Sequence, residues 1–494
     1  MTHTLRRLVV AGFALCAVPA MAQAPLTATD ARDLSRVIER RIQELAPTVA
    51  LSGAVTSRIA NGAVVITAPG VTVKLDGASL AVGDVVVTAS PARGSRLALA
   101  VALPPTMRLL APNAATLATI TLGAQKILGE WDREYATLTK IDLDQSNIAV
   151  EATDGGRMTI RTVAVHGALA ETATGRWTYD ATWRVGGLAG RFGPSSYRLG
   201  DLTVRQNARD FSFVDYVTAV RALGLESHPS YWMFAGLGSY FGVGVQGTDP
   251  AMQKRFATAA ATALRRSPDL LDMGFGFPST SRYDVSDLAV GDSGRGMFSL
   301  GHANVTAATS GIKGGLLSTT FDVAMKGLDG VGSSALIPKD GRGRIELNRL
   351  PARWIVENLP AILDLAATDA SRRNALTSPV VDNARRAMGA ARTEVVIPNL
   401  ALDNAPLQAT VDGALRASPT AAFWVAGALG VDIAGLDAAS ARGQAQPMLQ
   451  ALREIGKSEG RDRYRYQITL GEDGRMLVNQ LDPLVFFLML NTRR

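Results

Sequence analysis

Between Trp177 and Val185 the chain alternates strictly: Trp177, Tyr179, Ala181, Trp183 and Val185 are separated by Thr178, Asp180, Thr182 and Arg184. A helix brings side chains back to one face every 3.6 residues, whereas a strand does so every second residue. The pattern therefore demands a strand with one apolar face turned to a core. It recurs downstream, where Leu317, Thr319, Phe321, Val323 and Met325 alternate with Ser318, Thr320, Asp322, Ala324 and Lys326. Each run ends a longer stretch, Ile141 to Leu188 and Tyr283 to Leu328. Both stretches read strand, glycine turn, strand, small-residue loop, strand, and both close on Gly-Leu. A helix-rich segment follows each, so the chain reads as a duplicated meander-plus-helices unit. The expected fold is α+β and β-dominated, with long antiparallel strands in repeated, curved sheets and helices packed on one face. Trp177, Tyr179, Trp183, Phe321, Val323 and Met325 are expected to face that core.

The remaining segments fit around these two. Leu34, Val37, Ile38, Ile42 and Leu45 recur at helical spacing, predicting an amphipathic helix from Thr29 to Ala46, capped by Thr29 and stopped by Pro47. Short strands are expected over Val55–Ile59, Ala63–Ala68, Val71–Leu75, Leu80–Thr88 and Leu97–Leu103, with Asn61-Gly62 and Asp76-Gly77 as tight turns. Leu117 to Lys140 reads as a further hairpin around Trp131. Helices are predicted over Phe213–Leu223, from Pro250, over Ala352–Ala366, Val380–Ala391 and Thr420–Leu436, and from Pro447. Strands are predicted from Val395, over Val411–Leu415, Tyr464–Leu470 and Arg475–Leu481. The expected divisions are 1–22, 23–135 (helix and hairpins), 136–270 (first meander plus helices), 271–394 (second) and 395–494 (a closing β/helix unit).

The N-terminus predicts an address. Arg6 and Arg7 precede an apolar run from Leu8 to Val18, and Ala20-Met21-Ala22 places small residues where a signal peptidase reads them. Cleavage after Ala22 is expected to leave a periplasmic or secreted protein. The apolar run is too short for a spanning helix, as is Leu484 to Leu490, so no transmembrane span is expected after cleavage. That cleavage also removes Cys16, the one cysteine, which excludes disulfides and thiol chemistry from the mature chain. With 47% hydrophobic residues the chain can build large cores instead. Its formal net charge of +7 is thinly spread, and no basic run carries interleaved aromatics, which argues against nucleic acid as a partner.

Motifs that suggest chemistry dissolve on inspection. Gly291-Asp292-Ser293-Gly294 matches the tetrapeptide around a serine nucleophile, but such a serine needs a histidine base and an acid behind it. Leu-Ala-Val-Gly-Asp recurs at Leu80 to Asp84 without any serine, so a hairpin turn explains the string. Gly242-x-Gly244-x-x-Gly247 lacks the βαβ unit that a dinucleotide site requires. Asp142-x-Asp144-x-Ser146 begins like a calcium loop without its turn glycine or closing glutamate. His166, His228 and His302 are isolated in sequence, with no partner at metal-ligand spacing. The expectation is a non-enzymatic protein with neither cofactor nor metal.

One stretch carries a binding signal. Tyr231, Trp232, Phe234, Tyr240 and Phe241 are interleaved with glycines and almost no charge from Tyr231 to Val245. This is either a buried connection between the repeats or a patch facing lipid or a partner protein.

At the C-terminus a helix, a charged break and a strand pair ending Gly474-Arg475-Met476-Leu477-Val478-Asn479 resemble the closing unit of the YdgA-like family of bacterial periplasmic proteins. The repeated β layers behind a signal sequence are similar to the broader AsmA-like group. The resemblance covers roughly the region after Asp142 and departs where Gln480, rather than glycine, follows Asn479. It implies an envelope protein handling lipid, with the five aromatics above as ligand-binding candidates, and it supplies no catalytic residues. The alternative is a structural or protein-interaction scaffold whose partners are envelope proteins.

Overall fold

Thr27 starts the first element. Its backbone N–H and its hydroxyl both donate to the Asp30 carboxylate, at 2.6 and 2.7 Å, and its hydroxyl oxygen accepts from Asp30 N–H at 3.3 Å. This reciprocal cap places the start of helix α1 (Ala28–Leu45) at Thr27, two residues before the predicted cap at Thr29. In this computed structural model the residues described are 26–45, 49–75, 77–134, 137–224, 250–292, 296–330, 337–367, 379–421, 424–440 and 446–482. Two compact units divide the chain: Met1–Thr248 with Ala289–Arg295, and Asp249–Leu288 with Gly296–Arg494.

After α1 the first unit is a meander in sequence order. Its strands are β1 (Val49–Ala50), β2 (Thr56–Ala60), β3 (Ala63–Leu75), β4 (Ala78–Pro91), β5 (Arg96–Ala102), β6 (Thr106–Leu110), β7 (Thr116–Thr121), β8 (Gln125–Asp132), β9 (Thr137–Ala152), β10 (Arg157–Ala173), β11 (Arg176–Phe192) and β12 (Ser195–Phe211). Asn61 and Gly62, both at positive φ (53° and 75°), make the tight turn between β2 and β3. The predicted pair Ala63–Ala68 and Val71–Leu75 is one strand, β3, whose register shifts at Pro69-Gly70. Several short strands act as broken halves of longer ones. Strands β5 and β6 both pair with β4, and β7 and β8 both pair with β9. The hairpin expected around Trp131 is therefore β8 with β9, while β7 pairs with β6 and β9.

The meander gains a fourth long strand beyond the predicted three. Gly186-Gly187 does not end β11, which runs on to Phe192 and pairs with β12 from Trp177↔Phe211 to Phe192↔Ser195. Gly187 bends within the strand at φ 64°. Helix α2 (Phe213–Ala222) follows, capped by the Ser212 hydroxyl accepting from Asp215 N–H. Trp177, Phe211, Phe213 and Tyr216 pack there as an aromatic cluster. One apolar cluster runs from α1 across β3 to β10, with Val64, Leu97 and Ile160 at 0% exposure and Trp183, Val185 and Leu188 of β11 packed against it.

The second unit repeats the plan. Helices α3 (Pro250–Arg266) and α4 (Leu270–Phe275) precede β13 (Ser279–Asp292), β14 (Gly296–Lys313), β15 (Leu316–Asp329) and β16 (Asp340–Leu350). This meander too has four strands. Helices α5 (Ala352–Ala367) and α6 (Pro379–Ala391) follow, then β17 (Glu394–Asn404), β18 (Leu407–Ala417) and β19 (Val425–Ala434). Last come α7 (Leu436–Ser440), α8 (Gln446–Ile455), β20 (Lys457–Ser458), β21 (Arg463–Leu470) and β22 (Met476–Val478).

Residues 425–434 correct the predicted helix over Thr420–Leu436. They form β19, hydrogen-bonded to β18 on one side and β21 on the other. The segment VAGALGVDIA looks helical because it is apolar apart from Asp432, but Gly427 at φ 148° and Gly430 discourage a helix. Flanked by strands on both sides, the apolar run is a central strand.

Candidate functional site

The pairings of the second unit set one side chain beside the next across eight strands. Val305 of β14 lies opposite Val323 of β15, and Ala307 opposite Phe321. Phe321 then meets Ile345 of β16, and Gly343 meets Leu400 of β17. Leu400 faces Val411 of β18, which faces Val431 of β19, which faces Tyr466 of β21. A parallel row runs through Leu402, Ala409, Ile433 and Tyr464. On the far side Ile468 meets Val478 of β22. One face of this sheet is thus apolar from β14 to β22. Its reverse carries Asp322 and Arg344, joined through two hydrogen bonds of 2.7 and 3.0 Å, and the pair Asp432 and Arg465 at 3.7 Å.

That apolar face is not closed over. Phe321, Val323, Met325, Ile345, Leu400, Val411, Leu429 and Val431 are all half-buried, and Val305 is 36% exposed. In the first unit the equivalent face of β3 to β10 is excluded from solvent almost entirely. Position on the strand does not explain the difference, since these are middle residues. The helices of the second unit pack near strand ends. The Asp272 carboxylate of α4 accepts from the N–H groups of Gly314 and Gly315, which make the tight turn between β14 and β15 at φ 59° and 72°. Arg349 just before the end of β16 donates to Ala391 O at the end of α6 at 2.7 Å. Helices α7 and α8 cover Leu407, Ile433 and Tyr464 through Leu436, Ala439, Leu449 and Leu452. Tyr466 is a buried member of the face. Its hydroxyl donates to Leu452 O at 2.8 Å, and burial pushes its pKa well up.

The arrangement suits apolar ligands and little else. A half-exposed aliphatic sheet can shed water onto any chain of methylenes, each contributing roughly 0.8 kcal/mol on burial, without polar partners of fixed geometry. A patch this continuous is more than isolated surface hydrophobes produce. Sequence reasoning singled out Phe321, Val323 and Met325 as core residues. It missed that their neighbours across seven further strands share the face, because cross-strand register is not visible in any one segment.

The other predicted sites fall as follows. Tyr231, Trp232, Phe234, Tyr240 and Phe241 lie outside the described residues, as do Ala20, Ala22, His228, Ser293 and the glycines of the 242–247 motif. His302 is exposed on β14, opposite Lys326. His166 is isolated in sequence but not in space: β10 brings it to Asp142 and Asp144 of β9. Lys126 of β8, and after it His166, hold the Asp142 carboxyl below the usual carboxylate range. Among the described residues no helix is long and apolar enough to cross a membrane. No family model matches the chain, and neither a curated protein nor a solved structure matches it.

Proposed function

We propose that this chain is an exported, non-enzymatic envelope protein that binds lipid by its acyl chains on the apolar face of β14 to β22. The observation that carries this reading is the contrast between the two units. The same alternating strand design is buried across β3 to β10 in one, and in the other it is apolar yet half-open from β14 to β19. Leaving so much aliphatic surface in contact with water is costly unless a ligand covers it. The signal-like N-terminus and the likeness of the C-terminal unit to the YdgA-like and AsmA-like envelope proteins lean the same way. The aromatics from Tyr231 to Phe241, outside the described residues, are separate ligand-binding candidates on sequence grounds.

Native mass spectrometry of protein purified from the periplasm tests this. Co-purifying lipid is expected, and it should be lost on Phe321→Asp combined with Val431→Asp, with circular dichroism of the variant separating loss of lipid from loss of fold. Loss on Trp232→Ser with Phe234→Ser would make the aromatic stretch a lipid contact in its own right. Protein that carries no lipid, and takes up none from phospholipid vesicles, overturns the proposal in favour of a scaffold whose apolar face is covered by another envelope protein.

A further inference from the structure

The solvent-facing side of the first unit gathers four titratable groups that chain order keeps apart. Asp142 and Asp144 stand two residues apart on β9 and so share a face. Strand pairing sets His166 of β10 opposite Asp142, and Lys126 of β8 opposite Asp144. Lys126 Nζ lies 2.5 Å from Asp142 Oδ2, and His166 Nδ1 lies 2.8 Å from Asp142 Oδ1. On the other side of the ring, His166 Nε2 is 3.4 Å from Asp144 Oδ1.

These distances carry a chemical consequence. Asp142 Oδ1 is a good partner for Nδ1 only if Nδ1 bears the proton and donates it. In the neutral ring that leaves Nε2 with a lone pair, 3.4 Å from a carboxylate oxygen that is also only an acceptor. Two acceptors facing one another repel unless something positive lies between them. A tetrahedral cation with bonds of about 2.0–2.2 Å holds neighbouring ligand atoms roughly 3.3–3.5 Å apart, the separation found here. The carboxylate behind the ring is the usual companion of a metal-bound histidine, fixing its tautomer and its orientation. Lys126 in turn fixes that carboxylate. The neighbours of His166 on the same face of β10 are the small residues Ala164 and Ala168.

We propose that His166 Nε2 and Asp144 bind a divalent transition cation of the Zn2+ type, with Asp142 as the residue that orients the imidazole. A mixed nitrogen and oxygen donor set suits Zn2+ better than Mg2+ or Ca2+, which seek all-oxygen shells. The remaining coordination positions are open to solvent, since the side chains of His166 and Asp144 are 49% and 45% exposed. The site is separate from the apolar face and does not depend on lipid binding.

Isothermal titration calorimetry of ZnCl2 into the untagged full chain at neutral pH tests the assignment. One Zn2+ per chain is expected, with no heat from MgCl2 or CaCl2. His166→Ala and Asp144→Asn should abolish uptake, and Asp142→Asn should weaken it 10- to 100-fold, the usual effect of removing an orienting carboxylate. Lys126→Met should tighten binding, because the ammonium no longer opposes the cation. Circular dichroism of each variant separates loss of metal from loss of fold. If the wild-type chain takes up no Zn2+, a proton rather than a metal joins Nε2 to Asp144 and the site is refuted. Uptake that survives His166→Ala refutes it equally.

Discussion

Single side chains in this protein fasten ends and corners. Thr27 and Asp30 close the start of α1 by satisfying one another's donors. Thr27→Ala is expected to cost about 1 kcal/mol, read as a lower urea midpoint at unchanged slope. At the other end of the chain Asn479 ties three segments together. Its side-chain oxygen accepts from Gln467 N–H at 2.7 Å, and its amide donates to Ile455 O and Arg465 O at 2.7 and 3.1 Å. Gln480 sits at φ 69° after Asn479 at φ 50°, left-handed positions that glycine would occupy without strain. Neither tie was visible beforehand: Thr29 and Thr27 are both plausible caps, and only the chain's path selects between them.

At the scale of the strand, what matters is which face is closed. Ile160 of β10 is wholly buried within the first unit's core, whereas Val323 of β15 occupies an equivalent alternating position and remains half-exposed. Ile160→Ala should therefore cost roughly 2–5 kcal/mol, as expected for a filled site that cannot collapse. Val323→Ala should cost less than about 1.5 kcal/mol, since part of its surface is already in water. Calorimetric melting of the two variants checks the contrast, and similar losses from both would mean that the face of β15 is closed. The long strands themselves were legible because alternation is local. The fourth strand of each meander was not. Residues 195–211 and 340–350 are rich in arginine and polar residues, so their alternation is weak and only pairing with β11 and β15 reveals them. Residues 425–434 failed in the opposite way: the reverse face is Ala426, Ala428, Gly430 and Ala434 apart from Asp432, too small and uncharged to mark the alternation.

For the whole molecule, the open apolar face makes a solution prediction independent of any purified ligand. A dye that fluoresces on apolar surfaces, such as ANS, should bind the native protein, and phospholipid vesicles should displace it. Native protein that does not enhance the dye would show the face to be covered. Period-two alternation, glycine turns and duplication specify a β-dominated chain built from repeated antiparallel meanders, because each depends on neighbours a few residues apart. Two things were decided only by tertiary structure. Strand pairing over tens of residues assembled an apolar row from Val305 to Tyr466 and brought His166 to Asp142 and Asp144. The placement of helices at strand ends left one apolar face open while the other closed. Both depend on which distant segments meet, and hydrophobic pattern states only that a face must be covered, never by what.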